Sequence, residues 1–186
     1  VSMALRKCPG LVVVRGDWEW YKKCSEAFIA ICRTYSPVLE QFSVDECFIE
    51  MTGRVDKKKA FAAADALRRE IASRLGFTVN IGIGPNKLLA KMASDFEKPD
   101  KVHTLWTEEI PDKMWPLPVG DLLWVGRKSA EKLIACGIKT IGQLAVAPDN
   151  VMLHIFGPKG ARTARDSANG KDDSPVCTQE EEAKSY

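Results

Sequence analysis

The first hundred residues alternate between the hydrophobic period of a helix and that of a strand, and this alternation restricts the fold more than any other feature. Apolar residues recur every three or four positions over 18–35 and again over 56–75, which predicts two amphipathic helices. Between them, residues 38–44 and 47–51 alternate as strands do, and the β-branched run 11–14 predicts a further strand. A strand, a helix, a hairpin and a helix are therefore expected in this order.

Local signals bound the elements that follow. Asp56 can cap the second helix and Gly76 can end it, because glycine readily adopts the left-handed conformation common after helices. Residues 77–83 predict a buried strand, Pro85 opens a short helix that runs to residue 92, and residues 102–106 predict a last strand. We therefore expect an α+β fold whose sheet carries its helices on one face.

The composition of the sequence changes after Thr107. Prolines at positions 111, 116 and 118 indicate a linker, which places a domain boundary between residues 110 and 118. Short helices separated by glycines are predicted beyond it, over 127–135, 140–147, 149–156 and 158–168. The charged end, residues 171–186, is typical of a linker.

Composition excludes several classes of protein. With 45% apolar and 28% charged residues among 186, the chain is typical of a globular protein. Its longest stretch without a charged side chain, 75–86, is far shorter than the roughly 20 apolar residues that span a bilayer, so no membrane partner is expected. Six cysteines without a C-x-x-C pair predict reduced core thiols in a cytoplasmic protein, and two histidines offer little for a zinc site.

Charge is unevenly distributed, although the formal net charge is only +2. Residues 122–165 carry seven bases against two acids, whereas residues 166–186 carry six acids against two bases. A basic surface of this kind attracts polyanions such as nucleic acids. An ordinary solvated helix face is the alternative interpretation.

Asp45 and Glu46 lie at the predicted hairpin end, where a bent backbone can bring neighbouring carboxylates together. Two adjacent anions are stable beside a divalent cation, and Mg²⁺ prefers carboxylate and phosphate oxygens. A second cluster, suited to polyphosphate, consists of Lys87, Lys91, Lys98 and Lys101. Together the two clusters predict phosphoryl or nucleotidyl transfer. An exposed turn and a lysine-rich solvent face are the structural alternatives.

The apolar turn at residues 122–126 ends in glycine and leads into a helix that starts with Arg127 and Lys128. The first amides of a helix lack intrahelical partners and lie at the positive end of its dipole. Such a turn can hold a DNA phosphate without reading bases. An ordinary pair of helices joined by a glycine turn is the alternative.

Three motifs follow one another along the chain: residues 43–53, residues 82–95 with Lys98 and Pro99, and residues 125–145. In this order they resemble motifs of Y-family, lesion-bypass DNA polymerases of the bacterial DNA polymerase IV type. Residues 43–53, SVDECFIEMTG, look like the palm motif of the family. Residues 82–95, GIGPNKLLAKMASD, followed by Lys98 and Pro99, resemble its second signature. Residues 125–145 are similar to its helix-hairpin-helix thumb. Because the motifs follow one another over most of the chain, the resemblance is specific.

The resemblance implies a partial ferredoxin-like palm over residues 1–110, with an antiparallel or mixed sheet, and a small all-α helix-hairpin-helix thumb over residues 111–170. Residues 171–186 would form a linker towards a little-finger domain that is absent here. The family's third metal-binding Asp, on a strand near its N-terminus, and most of its fingers are expected to be missing before Val1. We therefore expect a palm–thumb fragment that is inactive by itself.

The resemblance also implies roles for residues. Asp45 and Glu46 match the paired acids that help bind two Mg²⁺ ions at the primer 3′-OH and the incoming dNTP, a two-metal site that would be incomplete here. Lys98 matches the lysine that contacts the triphosphate, and Lys91 is a supporting candidate. The turn that would hold the DNA backbone consists of Val125, Gly126, Arg127, Lys128 and Ser129. Trp124 stands where that turn usually has a glycine.

The implied function is error-prone translesion synthesis by a DNA-directed DNA polymerase, which transfers a nucleotide from dNTP to a primer 3′-OH. Primer–template DNA and dNTP are the implied partners, and a sliding clamp would be contacted through regions outside this chain. A non-catalytic helix-hairpin-helix module that only binds DNA is the alternative. A palm-like nucleotide cyclase would share the metal and the carboxylates but would leave the second half of the chain unexplained.

Overall fold

A computed structural model describes residues 1–178; residues 179–186, the end of the predicted linker, lie outside the described residues. The helices are α1 (Ser2–Lys7), α2 (Trp18–Tyr35), α3 (Lys57–Leu75), α4 (Lys87–Ser94), α5 (Arg127–Ala135), α6 (Ile141–Ala145) and α7 (Asp149–Ala168). The strands are β1 (Leu39–Gln41), β2 (Cys47–Ile49), β3 (Ile81–Ile83) and β4 (Val102–Thr104). Short 3₁₀ or π turns lie at Thr107–Glu109, Ile110–Met114 and Val119–Asp121. Among residues 1–178, each helix is either too short or too polar to span a lipid bilayer.

The strands form two short pairs. β1 and β2 are antiparallel, with Leu39 opposite Ile49, and make the predicted hairpin, although both strands are shorter than expected. β3 and β4 are parallel, with Ile81 opposite Val102. Within residues 1–178 the two pairs stay separate. The expected mixture of helices and strands is therefore confirmed, whereas the strands do not join into one sheet in this part of the chain.

Capping explains where several helices begin and end. The bounds of α2, α3 and α5 agree with the predicted ones to within a residue. Oδ1 of Asp17 accepts a hydrogen bond from the amide of Trp20 at the start of α2, and Gly76 ends α3 with a φ of 75°. α7 is broken at Gly157, whose φ is 70°, immediately before Pro158. The predicted division of this stretch into two helices is thus confirmed.

Two local predictions are wrong. Residues 11–14 form no strand and are exposed. β-branched side chains favour a strand only where a neighbouring edge can pair with it, and none pairs with this segment in the described structure. Pro85 does not open α4 either, because Asn86 is the N-cap: its side chain accepts a hydrogen bond from the amide of Leu89 at 2.9 Å. The helix therefore begins at Lys87.

The cysteines differ in burial. Cys32 is buried in α2, whereas Cys24 and Cys47 are half-buried. The exposed ones are Cys8, Cys136 and Cys177. The prediction of core thiols is therefore right for Cys32 and wrong for the exposed three, because an apolar run in the sequence does not show which of its residues face the interior.

Two clusters of buried side chains form the core. The first joins α2, β1 and α3 through Phe28, Leu39 and Ile71. The second extends from α4 to α7 and includes Leu89 and Leu133, both fully buried. α4 thus packs on the second half of the chain, although it precedes residues 110–118. The domain boundary there remains a prediction.

α4 packs closely on β3 because two glycines line the contact. A Cβ atom at Gly82 would overlap the carbonyl oxygen of Ala90 and the amide nitrogen of Ser94. At Gly84 it would lie 2.7 Å from the amide nitrogen of Ala90. Only a residue without a side chain permits this approach. The two glycines therefore fix the distance of α4, and of the lysines it carries, from β3.

After α7 the chain returns to the first half. The amide of Leu88, in the first turn of α4, donates a hydrogen bond to Oδ2 of Asp172 at 3.1 Å. The amide of Cys177 donates to Oε2 of Glu40 in β1 at 2.9 Å. Residues 170–177, which we call the return strap, thus connect the end of α7 with α4 and the hairpin.

Replacing Asp172 with alanine should lower the free energy of unfolding by about 1 kcal/mol, because an amide at the start of α4 loses its acceptor. Burial disfavours the charged carboxylate, but the hydrogen bonds from Ser174 and Leu88 and the charge of Lys87 outweigh it, so the pKa of Asp172 lies below its ordinary value of 3.8. The contribution is therefore present above that unfolded-state pKa and is lost as the pH falls through the lower folded-state pKa.

Urea unfolding near neutral pH and at about pH 2 measures both effects. Asp173→Ala is the matched control, since Asp173 is adjacent to Asp172 and its side chain is exposed. This replacement should change the free energy of unfolding by less than about 0.5 kcal/mol. Equal losses in the two variants would contradict the role of Asp172 as a cap.

Candidate active site and nucleic-acid interface

A cleft of about 1090 Å³ is lined by the β1–β2 hairpin, α2, α3 and β3. Part of its lining is apolar and comes from Phe28, Leu67 and Ile71. Another part is charged and includes Glu46 and Lys91. β2 and β3 both border the cleft, and each pairs with a strand on one side only among the described residues. An apolar cavity with a few converging polar groups is typical of a ligand site.

Residues 42–46, which we call the carboxylate loop, connect β1 and β2. The amides of Phe42 and Ser43 both donate to the carbonyl oxygen of Glu46, at 2.9 and 3.1 Å, and close the loop tightly. Oγ of Ser43 donates to Oδ1 of Asp45 at 2.7 Å and orients that side chain. Asp45 is exposed and Glu46 half-buried, and both line the cleft. The prediction that the two acids lie at a tight turn is confirmed.

α4 directs two lysines at the hairpin. Lys87 and Lys91 are four residues apart and share a helix face, as predicted. Nζ of Lys87 lies 2.8 Å from Oε2 of Glu40, and Nζ of Lys91 lies 2.7 Å from Oε1 of Glu46. Burial disfavours the charged form of Lys91, but the hydrogen bond to Glu46 and the charges of Asp95 and Glu46 outweigh it, so the pKa of Lys91 is raised. Lys91 is thus a firmly protonated cation beside the carboxylate loop.

Asp95 connects this contact to Lys98. Oδ2 of Asp95 is 3.3 Å from Nζ of Lys91, and Oδ1 is 2.6 Å from Nζ of Lys98. Burial disfavours the charged form of Asp95, but the hydrogen bond from Lys98 and the charge of Lys91 outweigh it, so the pKa of Asp95 is lowered. Glu46, Lys91, Asp95 and Lys98 form a sequence of alternating charges, which we call the ionic row. Lys101 lies outside this row: its Nζ is 3.6 Å from Oε1 of Glu97.

Sequence reasoning singled out both lysines of the ionic row but missed Asp95. A signal was present for its contact with Lys91, because Asp95 follows Lys91 by four residues and residues so spaced are neighbours on a helix. Its contact with Lys98 had no such signal, since α4 ends at Ser94. The contact from Lys91 to Glu46 had no comparable signal, since it joins residues 45 positions apart.

Asp45 and Glu46 fit a divalent cation as two of its ligands. They offer hard carboxylate oxygens at the same loop, and Mg²⁺ often takes one or two carboxylates while water and substrate phosphate complete its shell. In residues 1–178 no group of three or more acidic, histidine or cysteine side chains is arranged to hold a metal. The remaining ligands would therefore come from substrate, solvent or other residues.

The predicted phosphate-binding turn is at the start of α5. Gly126 is the N-cap and has no side chain to accept a hydrogen bond from the first amides of the helix. Arg127 and Lys128 are exposed and Ser129 is half-buried. Val125 is buried, so it can contribute to binding only through its backbone. The turn therefore presents amides and two cations to solvent.

Trp124 connects this turn to the carboxylate loop. It is 73% exposed and has a φ of 73°, a conformation that non-glycine residues seldom adopt. Its ring stands edge-on to that of Phe42, with 6.4 Å between centroids, and Phe42 contacts Phe48 in the same manner at 5.5 Å. Trp124 stands where the turn was expected to have a glycine, and its ring forms an aromatic contact between the two halves of the chain. The sequence did not predict this contact.

The fold is similar to that of solved DNA polymerases. DinB from Sulfolobus solfataricus matches with a TM-score of 0.86 and 24% sequence identity, over 94% of this chain and 52% of that one. An insertion ternary complex of Dbh DNA polymerase matches with a TM-score of 0.84 and the same identity, again over 94% of this chain and 52% of that one. The class of fold is therefore that of these polymerases.

The model of the impB/mucB/samB family matches residues 1–95, and the chain belongs to this family. DNA polymerase IV of Clostridium acetobutylicum is 41% identical over 181 residues, and DNA polymerase IV 1 of Bacillus subtilis is 39% identical over 176. These matches cover 97% and 95% of this chain but 46% and 42% of those proteins. The chain thus spans less than half the length of the curated relatives it matches. The predicted resemblance to Y-family DNA polymerases is confirmed.

Proposed function

We propose that this chain carries part of the active site of a translesion DNA polymerase, which transfers a nucleotide from dNTP to a primer 3′-OH with Mg²⁺. The observation that carries the proposal is the contact between the carboxylate loop and α4, which pairs Glu46 with Lys91 in a chain of this family. We further propose primer–template DNA and dNTP as partners in the cytoplasm. The predicted sliding clamp would be contacted through regions outside this chain.

We assign the palm to residues 1–110 and the helix-hairpin-helix thumb to residues 111–170. The first range contains the hairpin and α4, which hold the proposed chemistry, and the second contains α5 to α7. The likeness in fold to the solved polymerases supports this division. The aromatic contact of Trp124 with Phe42 would then lie between thumb and palm.

Asp45 and Glu46 would hold the metal. When bound there, Mg²⁺ supplies charge neutralisation for the triphosphate and favours deprotonation of the 3′-OH. The contribution of the protein is positional, because the tight carboxylate loop holds both acids and Ser43 orients Asp45 before any ligand enters. Groups held in place in this way need little reorganisation during reaction, which is a main source of rate enhancement in phosphoryl transfer.

Lys98 would contact the triphosphate, and Lys91 would support it. The side chain of Lys98 is 58% exposed, whereas that of Lys91 is 17% exposed and bound to two carboxylates. The ammonium of Lys98 can therefore exchange Asp95 for a phosphate at little cost, since exposed ion pairs are weak. Lys91 would instead keep its ion pair with Asp95, also when Glu46 binds a metal.

The proposed two-metal site needs a third acid, which we expect on a separate strand because the sequence resembles the Y-family. The cleft borders β2 and β3, and each of these strands has an edge without a strand partner among residues 1–178. Such edges accept a further strand through backbone hydrogen bonds. We propose that a strand carrying this acid occupies the cleft in the complete active site.

A chimera tests the proposed activity. In it, this chain replaces the matching 181-residue stretch of the Clostridium acetobutylicum DNA polymerase IV. We expect the chimera to extend a primer when Mg²⁺ and dNTP are supplied, on intact template and past an abasic site. The 186-residue chain alone should extend it far less, because residues 1–178 contain no group of three acidic, histidine or cysteine side chains arranged to hold a metal. A chimera that folds and binds DNA without extending the primer would favour the non-catalytic binding module.

Replacing both Arg127 and Lys128 with alanine should weaken binding of the chain to duplex DNA about tenfold and reduce the slope of log K against log salt by about 2. The physical reason is the loss of two exposed cations beside the open amides of the α5 N-terminus. Fluorescence anisotropy at several salt concentrations measures both quantities. Lys132→Ala, at the last turn of the same helix, is the matched control and should have less than a third of the effect on the slope. An unchanged slope in the double variant would remove the turn from the interface.

A further inference from the structure

Asp95 lies in the middle of the ionic row and forms ion pairs with both of its lysines, Lys91 and Lys98. We propose that Asp95 is a positioning residue of the metal site: it acts through Lys91 and determines how readily Glu46 becomes available to a divalent cation. This inference rests on the proposed function, because it takes Glu46 to be a metal ligand.

Lys91 and a metal ion compete for the same carboxylate. Oε1 of Glu46 accepts a hydrogen bond from Nζ of Lys91 at 2.7 Å, and the lysine side chain is only 17% exposed. A divalent ion that approaches this oxygen meets an ammonium a few ångströms away, and charges in a partly buried site are poorly screened. Lys91 must therefore turn away, at least in part, when Glu46 takes up a metal.

Asp95 provides Lys91 with a second anion when this happens. An ammonium has three N–H donors, so Lys91 can bind Glu46 and Asp95 at the same time. If Glu46 turns to a metal, Lys91 still has Oδ2 of Asp95 at 3.3 Å and can move closer to it. Without Asp95, release of Glu46 would leave a largely buried ammonium unpaired, which is unfavourable. Glu46 would then be held more firmly and would bind metal less readily.

Lys98 keeps Asp95 in the required position. Oδ1 of Asp95 binds Nζ of Lys98 at 2.6 Å, so the other oxygen, Oδ2, points towards Lys91. The carboxylate thereby bridges the two lysines. The same bridge holds Lys98 on the side of the row where the proposed triphosphate contact would form.

Titration with Mn²⁺, followed by the electron paramagnetic resonance signal of the free ion, measures metal affinity without relying on activity. It is performed on the 186-residue chain and on the chimera bound to primer–template DNA. We expect Asp95→Asn to weaken Mn²⁺ binding about fivefold and Lys91→Met to strengthen it about fivefold. Adding Asp95→Asn to Lys91→Met should change the Mn²⁺ affinity less than about twofold, because Asp95 can no longer act through Lys91.

This double-mutant cycle separates the inference from simple electrostatics. If Asp95 acted only as a distant negative charge, its replacement would weaken Mn²⁺ binding equally with and without Lys91. Glu97→Gln is the matched control: Glu97 is two residues further on and pairs with Lys101 at 3.6 Å, so its replacement should leave the affinity nearly unchanged.

Additive effects, or no effect of Asp95→Asn, would overturn the inference while leaving the metal site in place. Mn²⁺ binding that persists unchanged in Asp45→Asn and Glu46→Gln, or that is absent from both the chain and the chimera, would overturn the metal site itself and this inference with it. The two failures are therefore distinguishable.

Discussion

Replacing Glu46 with glutamine in the chimera is expected to reduce the rate of primer extension at least about 10²-fold. The amide has the shape of the carboxylate but lacks its charge, so it is a poor ligand for Mg²⁺. Because nucleotidyl transfer depends on charge neutralisation and positioning, a lost metal ligand acts directly on the barrier. Lys91 would also lose the acid that lies 2.7 Å from its ammonium. Single-turnover extension with saturating dNTP measures the effect.

Glu50→Gln is the matched control for this prediction. Glu50 belongs to the same hairpin region, but its Oε1 accepts a hydrogen bond from the amide of Thr52 at 2.8 Å and it takes no part in the ionic row. We expect its replacement to change the rate less than about threefold. Mn²⁺ binding should fall for Glu46→Gln and not for Glu50→Gln. A Glu46→Gln chimera with more than about a tenth of the parent rate would contradict the metal-binding role.

Replacing Gly82 with alanine is expected to lower the free energy of unfolding by about 3 kcal/mol or more. The new Cβ would overlap the carbonyl oxygen of Ala90 and the amide nitrogen of Ser94, and backbone atoms of a helix cannot move aside as a flexible side chain can. α4 would have to move away from β3 as a unit. For a chain of this size the loss corresponds to a fall in Tm of roughly 10 °C, which differential scanning calorimetry measures.

Gly10→Ala is the control for Gly82, since an added Cβ at Gly10 meets no heavy atom within 4 Å. Its effect on stability should stay within about 0.5 kcal/mol. A shift of α4 would also move Lys91 relative to Glu46, so Mn²⁺ affinity should change in any Gly82→Ala protein that remains folded. A loss of stability below about 1 kcal/mol would show that β3 and α4 can separate easily.

The two acids and the lysines of α4 could be found from the sequence because each is marked by local features. Asp45 and Glu46 stand between two strand-like stretches, and Lys87 and Lys91 repeat at the spacing of a helix face. The strand predicted for residues 11–14 shows the opposite case. Its β-branched composition is a local feature, but a strand also needs the edge of another strand to pair with. Which edges are available cannot be read from the sequence, and residues 11–14 form no strand.

The bounds of α2, α3 and α5 and the position of the acids at a turn could be predicted from local patterns, because caps, periodicity and turns involve residues within a few positions of one another. Three contacts became known only from the folded chain: Lys91 with Glu46, Asp95 as a bridge between Lys91 and Lys98, and the return strap with the start of α4. The contacts with Glu46 and with the strap join residues 45 and 84 positions apart. They depend on how closely β3 and α4 pack, and that packing depends on the absence of side chains at two glycines whose neighbours in space are revealed only by the folded chain.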